Sequence, residues 1–454
     1  MENSRKPKFD EFQRAVLDCL KAGIPATATV GIGFSGGMDS AVLLNVISSI
    51  RECIPHQIKA VHVNHGLSAR AGEWEEFCRE QARCAAIPFE AVKVDLTLYS
   101  GLGIEGAARR ARYDAFGKLG LTDVFLGHHQ NDQAETVLLQ MLRGSGAKGA
   151  SAMEQISSAG RNMQLLRPFL KFGRNELIRY AHTRHLNWIE DDSNSSDRFR
   201  RNFLRIHVLP LLETKFPSAI GSLGMSASNL ADASGLLDDL ADMDLAGIAN
   251  GETLLVRRLV ELGQRRARNA FRRWLEIAGV RQPSRHALAE ALRQLSTGST
   301  KHGFRIGCAG LDVRLFRGRL YLVPGTAKPV QAESPESWGI SWNGEKVLAL
   351  PQKNGLLKFR PATGSGIAER VLAGPPVLVT GRMGGERMST RCGRPVHTLK
   401  KIFQEHAVPP WKREKMPLLR RGSELIAVPG LAIAAQWQAQ AGEPGFEIDW
   451  VQSL

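Results

Sequence analysis

Over its first 200 or so residues the chain alternates short β-rich apolar runs with longer segments whose apolar residues recur every three or four positions. "TATVGIGF" (27–34) predicts a strand. "SAVLLNVISSI" follows, with Leu43, Val46, Ile47 and Ile50 at i, i+3, i+4 and i+7, one face of an amphipathic helix. "IKAVHVNH", "PFEAVKVDL" and "TDVFLGHH" predict three more strands. "EEFCREQARCAAI", "GIEGAARRARYDAFGKLG" and "NDQAETVLLQMLRGSG" predict the helices between and after them. This order argues an α/β fold, a mostly parallel sheet with helices on both faces. Ligands bind such sheets at the carboxyl ends of the strands, so "FSGG" and "GHH" are expected to share one crevice.

Beyond about Leu212 the pattern changes. Residues 218–300 read as helical and basic, and "FRIGCAGLDVRLFRGRLYLVPG" as short strands with glycine turns. Residues 326–376 are rich in Pro, Gly, Ser and Ala and read as a linker entering a third unit. Three domains are expected: 1–217, 218–328 (mainly helical) and 329–454 (small, α+β).

Composition narrows the class. No run approaches the roughly 20 apolar residues of a membrane span, and the first 20 residues have no apolar signal core. The chain therefore reads as cytoplasmic, with no membrane partner. Its six cysteines, Cys19, Cys53, Cys78, Cys84, Cys308 and Cys392, contain no C-x-x-C pair and read as ordinary thiols. Lys and Arg number 60 against 45 Asp and Glu, a formal charge of +15, which points to a polyanion such as nucleic acid. The excess is concentrated. Residues 257–273 hold seven arginines against Glu261, and 382–421 hold eleven Lys/Arg against three Glu. Arg265, Arg268, Arg272, Lys400, Lys401, Lys412 and Arg413 are the candidate RNA contacts. Trp411, between Pro410 and Lys412, is placed either to stack on a base or to pack.

The chemistry concentrates in two motifs. In "GFSGGMDSAVLL", Gly36 and Gly37 let backbone approach an anion, and the following helix offers free N–H groups. Ser35 and Ser40 can donate hydroxyl hydrogen bonds. The lysine of the common triphosphate loop is absent. Asp39 takes a different part: a carboxylate here can hold Mg²⁺, which in turn meets phosphate oxygens. In "GHHQNDQAET", Asp132 and Glu135 lie three apart, on a face separate from the apolar stripe Ala134, Val137, Leu138, Met141 and Leu142. That pair suits a cation, either Mg²⁺ or an amine. His128 and His129 can contact phosphate or ribose, or move a proton. Further on, "EDDSNSSDRFRRNFLR" offers Ser193, Asn194, Arg198, Arg200, Arg201 and Arg205.

The hexapeptide "SGGMDS" resembles the loop of the N-type ATP pyrophosphatases, the Rossmann-like PP-loop superfamily. With "VHVNHGLS", "ARRARYDAF", "HHQNDQAETVLLQMLRGSG", "RPFL", "EDDSNSSDRFRRNFLR" and the tail beginning "GRMGGERMSTRCGRPVHTLKKIF", the order is similar to that of the tRNA(Ile)-lysidine synthetases. The resemblance covers 29–212 and 380–432 well. It implies a ligase that adenylates carbon 2 of the wobble cytidine in tRNA(Ile) with a CAU anticodon. Free L-lysine then attacks, AMP and pyrophosphate are released, and codon reading switches from AUG to AUA. By the same resemblance, ATP is held by Ser35, Gly36, Gly37, Met38, Asp39, Ser40, His62, Gly127 and His128, with Mg²⁺ at Asp39. Arg112 and His128 act near the α-phosphate and cytidine, Asp132 and Glu135 bind lysine, and Arg201 or Arg205 supports the intermediate. A homodimer is compatible with the sequence. Asn131 departs from the pattern, where many relatives have a second Asp. Rival readings are a tRNA thiolase, which needs catalytic or cluster-holding cysteines, a glutamine-dependent synthetase, which needs an amidotransferase domain, and an RNA-binding module with a degenerate nucleotide site.

Overall fold

The structure is a computed structural model. It describes residues 9–451 except 22–23, 25–27, 100, 102, 161–162, 191–196, 198, 252, 281, 299–303, 309–310, 326–337, 352–353 and 391–395. Ser193, Asn194, Arg198 and Cys392 lie outside the described residues. The chain divides into two compact units, Met1–Asp239 and Leu240–Leu454.

The first unit begins with α1 (Glu11–Lys21), β1 (Thr29–Gly33), α2 (Met38–Ser49), β2 (Gln57–Asn64) and α3 (Ala71–Cys84). It continues through β3 (Phe89–Lys93), α4 (Gly103–Lys118), β4 (Asp123–Phe125), α5 (Gln130–Leu142) and α6 (Ala147–Ala150). β5 (Ile156–Ala159), β6 (Met163–Leu166), α7 (Arg174–Thr183), α8 (Arg200–Phe203) and α9 (Leu209–Lys215) follow, and α10 (Ala219–Ala246) begins in this unit. The sheet runs β3-β2-β1-β4-β6-β5, parallel except for β5, which forms an antiparallel pair with β6. All four expected strands and the helices around them form. Alternation along each strand feeds a core on each face: Phe125 and Leu166 enter one, Val124 and Leu165 the other.

Two helices differ from expectation. α2 is not amphipathic. Met38, Ser40 to Leu44, Val46 and Ile47 are all buried, because the helix is packed all round among α1, α7 and the sheet. In α5 the apolar stripe does not hold to its end. Ala134 and Val137 are buried, Met141 and Leu142 are exposed, and the acidic face of Asp132 and Glu135 is buried instead.

In the second unit, β7 (Ala249–Asn250), β8 (Thr253–Leu255), α11 (Val256–Glu261), α12 (Gly263–Ile277) and α13 (Arg285–Thr297) come first. β9 (Arg305–Cys308), β10 (Leu311–Phe316) and β11 (Arg319–Pro324) complete an antiparallel sheet ordered β7-β8-β11-β10-β9. On α12, Ala267, Ala270, Phe271, Trp274 and Leu275 form the buried stripe. The stretch 326–376, expected as a linker, is structured from residue 339. It contains β12 (Gly339–Trp342), β13 (Val347–Ala349), β14 (Leu356–Thr363) and β15 (Ile367–Ala368). Composition misleads here because alternation decides: Leu357 and Phe359 face the core, and Pro361 lies past the end of β13, where no second neighbour needs its N–H. β16 (Val377–Thr380), α14 (Leu399–Glu405), α15 (Pro410–Arg413) and further strands close the chain as an α+β region, with Trp342 stacked on Phe359 at 4.1 Å.

Candidate active site

β1 and β4 are neighbours, but β1 continues to β2 on one side and β4 to β6 on the other. Loops leaving such strands diverge and open a crevice at their carboxyl ends. Those loops, 34–37 and 126–129, are the two quoted motifs. They meet closely: a Cβ on Gly127 would lie 2.8 Å from the Asp39 carbonyl oxygen. Gly36 has φ +85°, and its Cβ would meet Ile189 at 2.7 Å and Cys78 Sγ at 2.9 Å. Its carbonyl accepts the Ile189 N–H at 2.9 Å, which ties the loop to the segment after α7. Burial pushes the Cys78 thiol up to about 12, so this cysteine under the loop is no thiolate nucleophile.

α2 starts at Met38 with Gly37 as its N-cap, and no side chain caps it. The first N–H groups of α2 are therefore open to an anion. Ser40 Oγ donates to the Gly37 carbonyl at 2.8 Å and stands 3.2 Å from Ser35 Oγ, so both hydroxyls gather at the same turn. Asp39 Oδ1 is buried without a hydrogen-bond partner among the described residues. A carboxylate oxygen left bare beside a helix N-terminus fits a divalent cation that also meets phosphate. Among the described residues no cluster of three or more His, Cys, Asp or Glu forms a ready-made metal cage, so phosphate and water would complete the coordination.

The second half of the site begins with an unusual cap. His129 is the N-cap of α5: its Nδ1 accepts the Asp132 N–H at 3.4 Å, and Asp132 Oδ2 accepts the His129 N–H at 3.0 Å. Asp132 and Glu135 then face two guanidiniums. Arg201 Nε donates to Glu135 Oε2 at 2.6 Å and its Nη2 to Asp132 Oδ1 at 3.0 Å. Arg205 Nε donates to Glu135 Oε1 at 2.6 Å and its Nη2 to Asp132 Oδ1 at 3.3 Å. Glu135 is fully buried. Arg205 lies in a π-helical turn, Leu204–Val208, between α8 and α9; such turns are frequent at functional sites. The cations at this acidic pair are thus two arginines, and the four charges sum to zero.

Burial would raise the Asp132 pKa, yet His129, Arg201 and His128 hold it down to about 2. Burial alone would lower His129, but Asp132 and Asp39 raise it above its ordinary value. The other imidazoles go the opposite way. Burial, with Arg167, Arg201 and Arg112 nearby, lowers His128 to about 3. Burial and Arg112 lower His65 to about 4. His62, whose Nδ1 is 3.0 Å from the Phe34 carbonyl, is lowered mainly by burial. Arg112 has no hydrogen bond or ion pair among the described residues, and its guanidinium faces this neutral histidine wall. A free cation flanked by imidazoles that stay neutral can accept an anion without losing its charge to a partner.

All of the first-unit candidates, Ser35 to Ser40, His62, Arg112, Gly127, His128, Asp132, Glu135, Arg201 and Arg205, therefore belong to this one edge of the sheet. Sequence reading missed His65, the capping role of His129, and Arg167. Arg167 is buried and donates to the Glu154 carbonyl at 2.7 Å and Ser157 Oγ at 2.9 Å. The signals were present: "VHVNHGLS" and "RPFL" each place a polar residue directly at a strand's carboxyl end. Asn131 accepts the Arg174 N–H at 3.0 Å at the start of α7, so it serves a helix end and not the acidic pair.

In the second unit, Arg265 is exposed and Arg268 half-buried on α12, each without an ion pair among the described residues. Arg272 is tied to Glu276 and Asn269. Lys400, Lys401 and Lys412 are exposed. Arg413 Nε donates to the Val408 carbonyl at 2.7 Å. Trp411 packs against Tyr321 at 5.5 Å and Phe316 at 6.0 Å, with Arg314 over its ring, so packing is what its indole does here. No helix among the described residues is long and apolar enough to cross a membrane.

Three family models match the chain: a PP-loop domain over 8–212, a TilS substrate binding domain over 254–321 and a TilS substrate C-terminal domain over 377–450. The tRNA(Ile)-lysidine synthase of Nitrosomonas europaea is 36% identical over 441 residues, 96% of this chain and 95% of that protein. That of Coxiella burnetii is 37% identical over 420 residues, 92% of each. Among solved structures, the U34-tRNA thiolase NcsA from Methanococcus maripaludis matches with 18% identity and a TM-score of 0.42, over 49% of this chain and 79% of that one. On the full-length similarity to its curated relatives, the chain belongs to the tRNA(Ile)-lysidine synthase family, enzymes of the carbon–nitrogen-forming ligase class.

Proposed function

We propose that this ligase converts the wobble cytidine of tRNA(Ile) with a CAU anticodon to lysidine in two steps at one crevice. In the first, the cytidine O2 attacks the α-phosphorus of ATP and pyrophosphate leaves. The open N–H groups of α2 with Ser35, Gly36, Gly37, Met38 and Ser40 hold the departing pyrophosphate, Gly127 and His62 shape the nucleotide pocket, and Arg112 faces the α-phosphate. Mg²⁺, when bound at Asp39, neutralises phosphate charge. In the second step, the lysine amine attacks carbon 2, and AMP leaves with the former carbonyl oxygen.

The attacking amine must be neutral. Asp132 and Glu135 orient the incoming ammonium by sharing their carboxylates with it while Arg201 and Arg205 swing toward the adenylate they support, and one of the two carboxylates takes the ammonium's proton before the amine attacks. His128, held neutral, is available as a hydrogen-bond partner for the cytidine ring. We further propose that the chain is organised as three domains, 1–217, 218–328 and 329–454. In the last two, Arg265, Arg268, Lys400, Lys401 and Lys412 meet the tRNA backbone. The cytoplasm, where ATP, lysine and tRNA coexist, is the proposed location.

The observation that best supports this reading is the meeting of a lysine-free phosphate loop with the Asp132–Glu135–Arg201–Arg205 cluster at the β1–β4 edge. Measuring labelled AMP released from ATP with isoleucine or methionine tRNA transcripts, with and without lysine, tests it. Lysine-dependent AMP release with the isoleucine transcript alone is expected, pyrophosphate having left in the first step. ADP as the main product would overturn it.

A further inference from the structure

The imidazole of His129 is fully enclosed, and both its nitrogens are engaged by opposite halves of the crevice. Nδ1 caps α5 by accepting the Asp132 N–H. Nε2 lies 3.5 Å from Asp39 Oδ1 in the phosphate loop and 3.5 Å from Asp132 Oδ2. Asp39 Oδ1 is itself buried and, among the described residues, accepts no closer hydrogen bond, so the 3.5 Å approach of Nε2 is the contact that can direct it. Capping alone does not explain a histidine here. Asn, Asp, Ser and Thr are the preferred N-caps, and each satisfies the same N–H with a shorter side chain. What a histidine adds is the second nitrogen, one ring-width further out, where the other loop begins.

We propose that His129 is a positioning residue for Asp39, and that its Nε2–H sets the direction in which that carboxylate faces the phosphate loop. The proposal rests on reading 35–40 as the phosphate loop and Asp39 as its metal-facing acid. It makes the first step of the reaction depend on the second motif: the residue that starts the helix bearing Asp132 and Glu135 also aims the acid that meets ATP. Without that contact Asp39 is free to rotate away, and Mg²⁺·ATP meets a carboxylate that must first be ordered. The loss falls on nucleotide binding and adenylation, not on lysine capture.

The two nitrogens of histidine can be mimicked separately. In His129→Asn the side-chain oxygen takes the place of Nδ1 and keeps the cap, while nothing reaches Asp39. In His129→Gln the amide nitrogen takes the place of Nε2 and can still donate to Asp39, while the cap is lost. Mg²⁺·ATP affinity, by calorimetry on the full chain without tRNA or lysine, and melting temperature are measured for both variants, for Asp39→Asn and for the Asp39→Asn/His129→Asn double variant. His129→Asn is expected to melt like the parent but bind Mg²⁺·ATP about tenfold more weakly, the size of one charge-assisted hydrogen bond. His129→Gln is expected to melt lower and recover most of the affinity. The double variant should bind no more weakly than Asp39→Asn, because the two changes remove one interaction. Parent-like affinity in His129→Asn, or additive losses in the double variant, would overturn the proposal. If Asp39→Asn itself leaves affinity unchanged, the loop assignment fails, and that outcome is separate from the other two.

Discussion

Two arginine-rich stretches, "RFRRNFLR" at 198–205 and "RRARNAFRR" at 265–273, look alike along the chain. Each mixes guanidiniums with phenylalanine at helical spacing. In the first, Arg201 and Arg205 turn inward onto Glu135 and Asp132, and the acids that receive them are buried. In the second, the apolar residues turn inward, and Arg265 and Arg268 meet no carboxylate among the described residues. The difference lies in what faces each stretch. A buried carboxylate pair on α5 stands opposite the first; opposite the second, Asp244 and Asp242 of α10 take Arg266 and Arg273, and among the described residues no acid reaches Arg265 or Arg268. Arginine density therefore indicates an anion nearby but not whether that anion is part of the fold or comes from outside. A fold-supplied acid makes the arginines part of the core's charge balance. An absent one leaves them available to phosphate.

The comparison breaks most visibly if the inner balance is removed. Glu135→Ala leaves two guanidiniums facing Asp132 alone. Removing one partner from a buried ionic cluster is strongly destabilising. The expected loss is about 3 kcal/mol, read from the urea midpoint of the first unit, together with loss of lysidine formation. A change under about 0.5 kcal/mol would mean that Arg201 and Arg205 are solvated in solution, like surface arginines.

Acid probes the same balance with less force. His128 is held at about 3 in the folded chain, against about 6.5 when unfolded. Between those values only the unfolded chain takes up this proton, so stability is retained above pH 6.5 and falls as pH drops toward 3. Asp132, at about 2, adds a loss only below about pH 4. At pH 5 the His128 contribution costs about 1–2 kcal/mol. It should disappear in His128→Asn, as followed by hydrogen exchange of β1 and β4 amides. A parent-like pH slope in that variant would show that His128 titrates normally and that the cationic wall around it is screened.

The strands and helices of the first unit were legible because each has a clean period and each motif sits at a strand end. The β14 region was not, because Pro361 and the glycines around it dominate composition while Leu357 and Phe359 set the structure. The site was legible as a set of residues but not as a set of pairs. Nothing in the spacing of Asp132 and Glu135 says that two arginines more than sixty residues away will close on them. Along the sequence His129 is one of two similar histidines, yet in the fold the pKa of its neighbour is lowered and its own is raised. That split arises from which acids face each ring, a fact of tertiary packing with no trace in "HH".

The finest test lies within α12 itself. Arg265 and Arg268, without an ion pair among the described residues, are expected to touch tRNA phosphate. Changing both to Gln should weaken tRNA binding and reduce the slope of log affinity against log salt by about two, one for each contact. Stability should move by less than about 0.5 kcal/mol, since no internal pair is broken. Arg272, on the same helix, sits with Nη1 3.5 Å from Glu276 and Nη2 3.4 Å from Asn269, and only 19% of its side chain is exposed. These two contacts are long and local, so their loss in Arg272→Gln should contribute no more than about 0.5 kcal/mol of stability. The salt slope should not change, because a guanidinium turned along the helix toward Glu276 neutralises no phosphate. If Arg272→Gln instead flattens the slope by about one, the Arg272–Glu276 pair opens on binding. The boundary between arginines that serve the fold and arginines that serve RNA would then shift with the ligand instead of being set by the free protein.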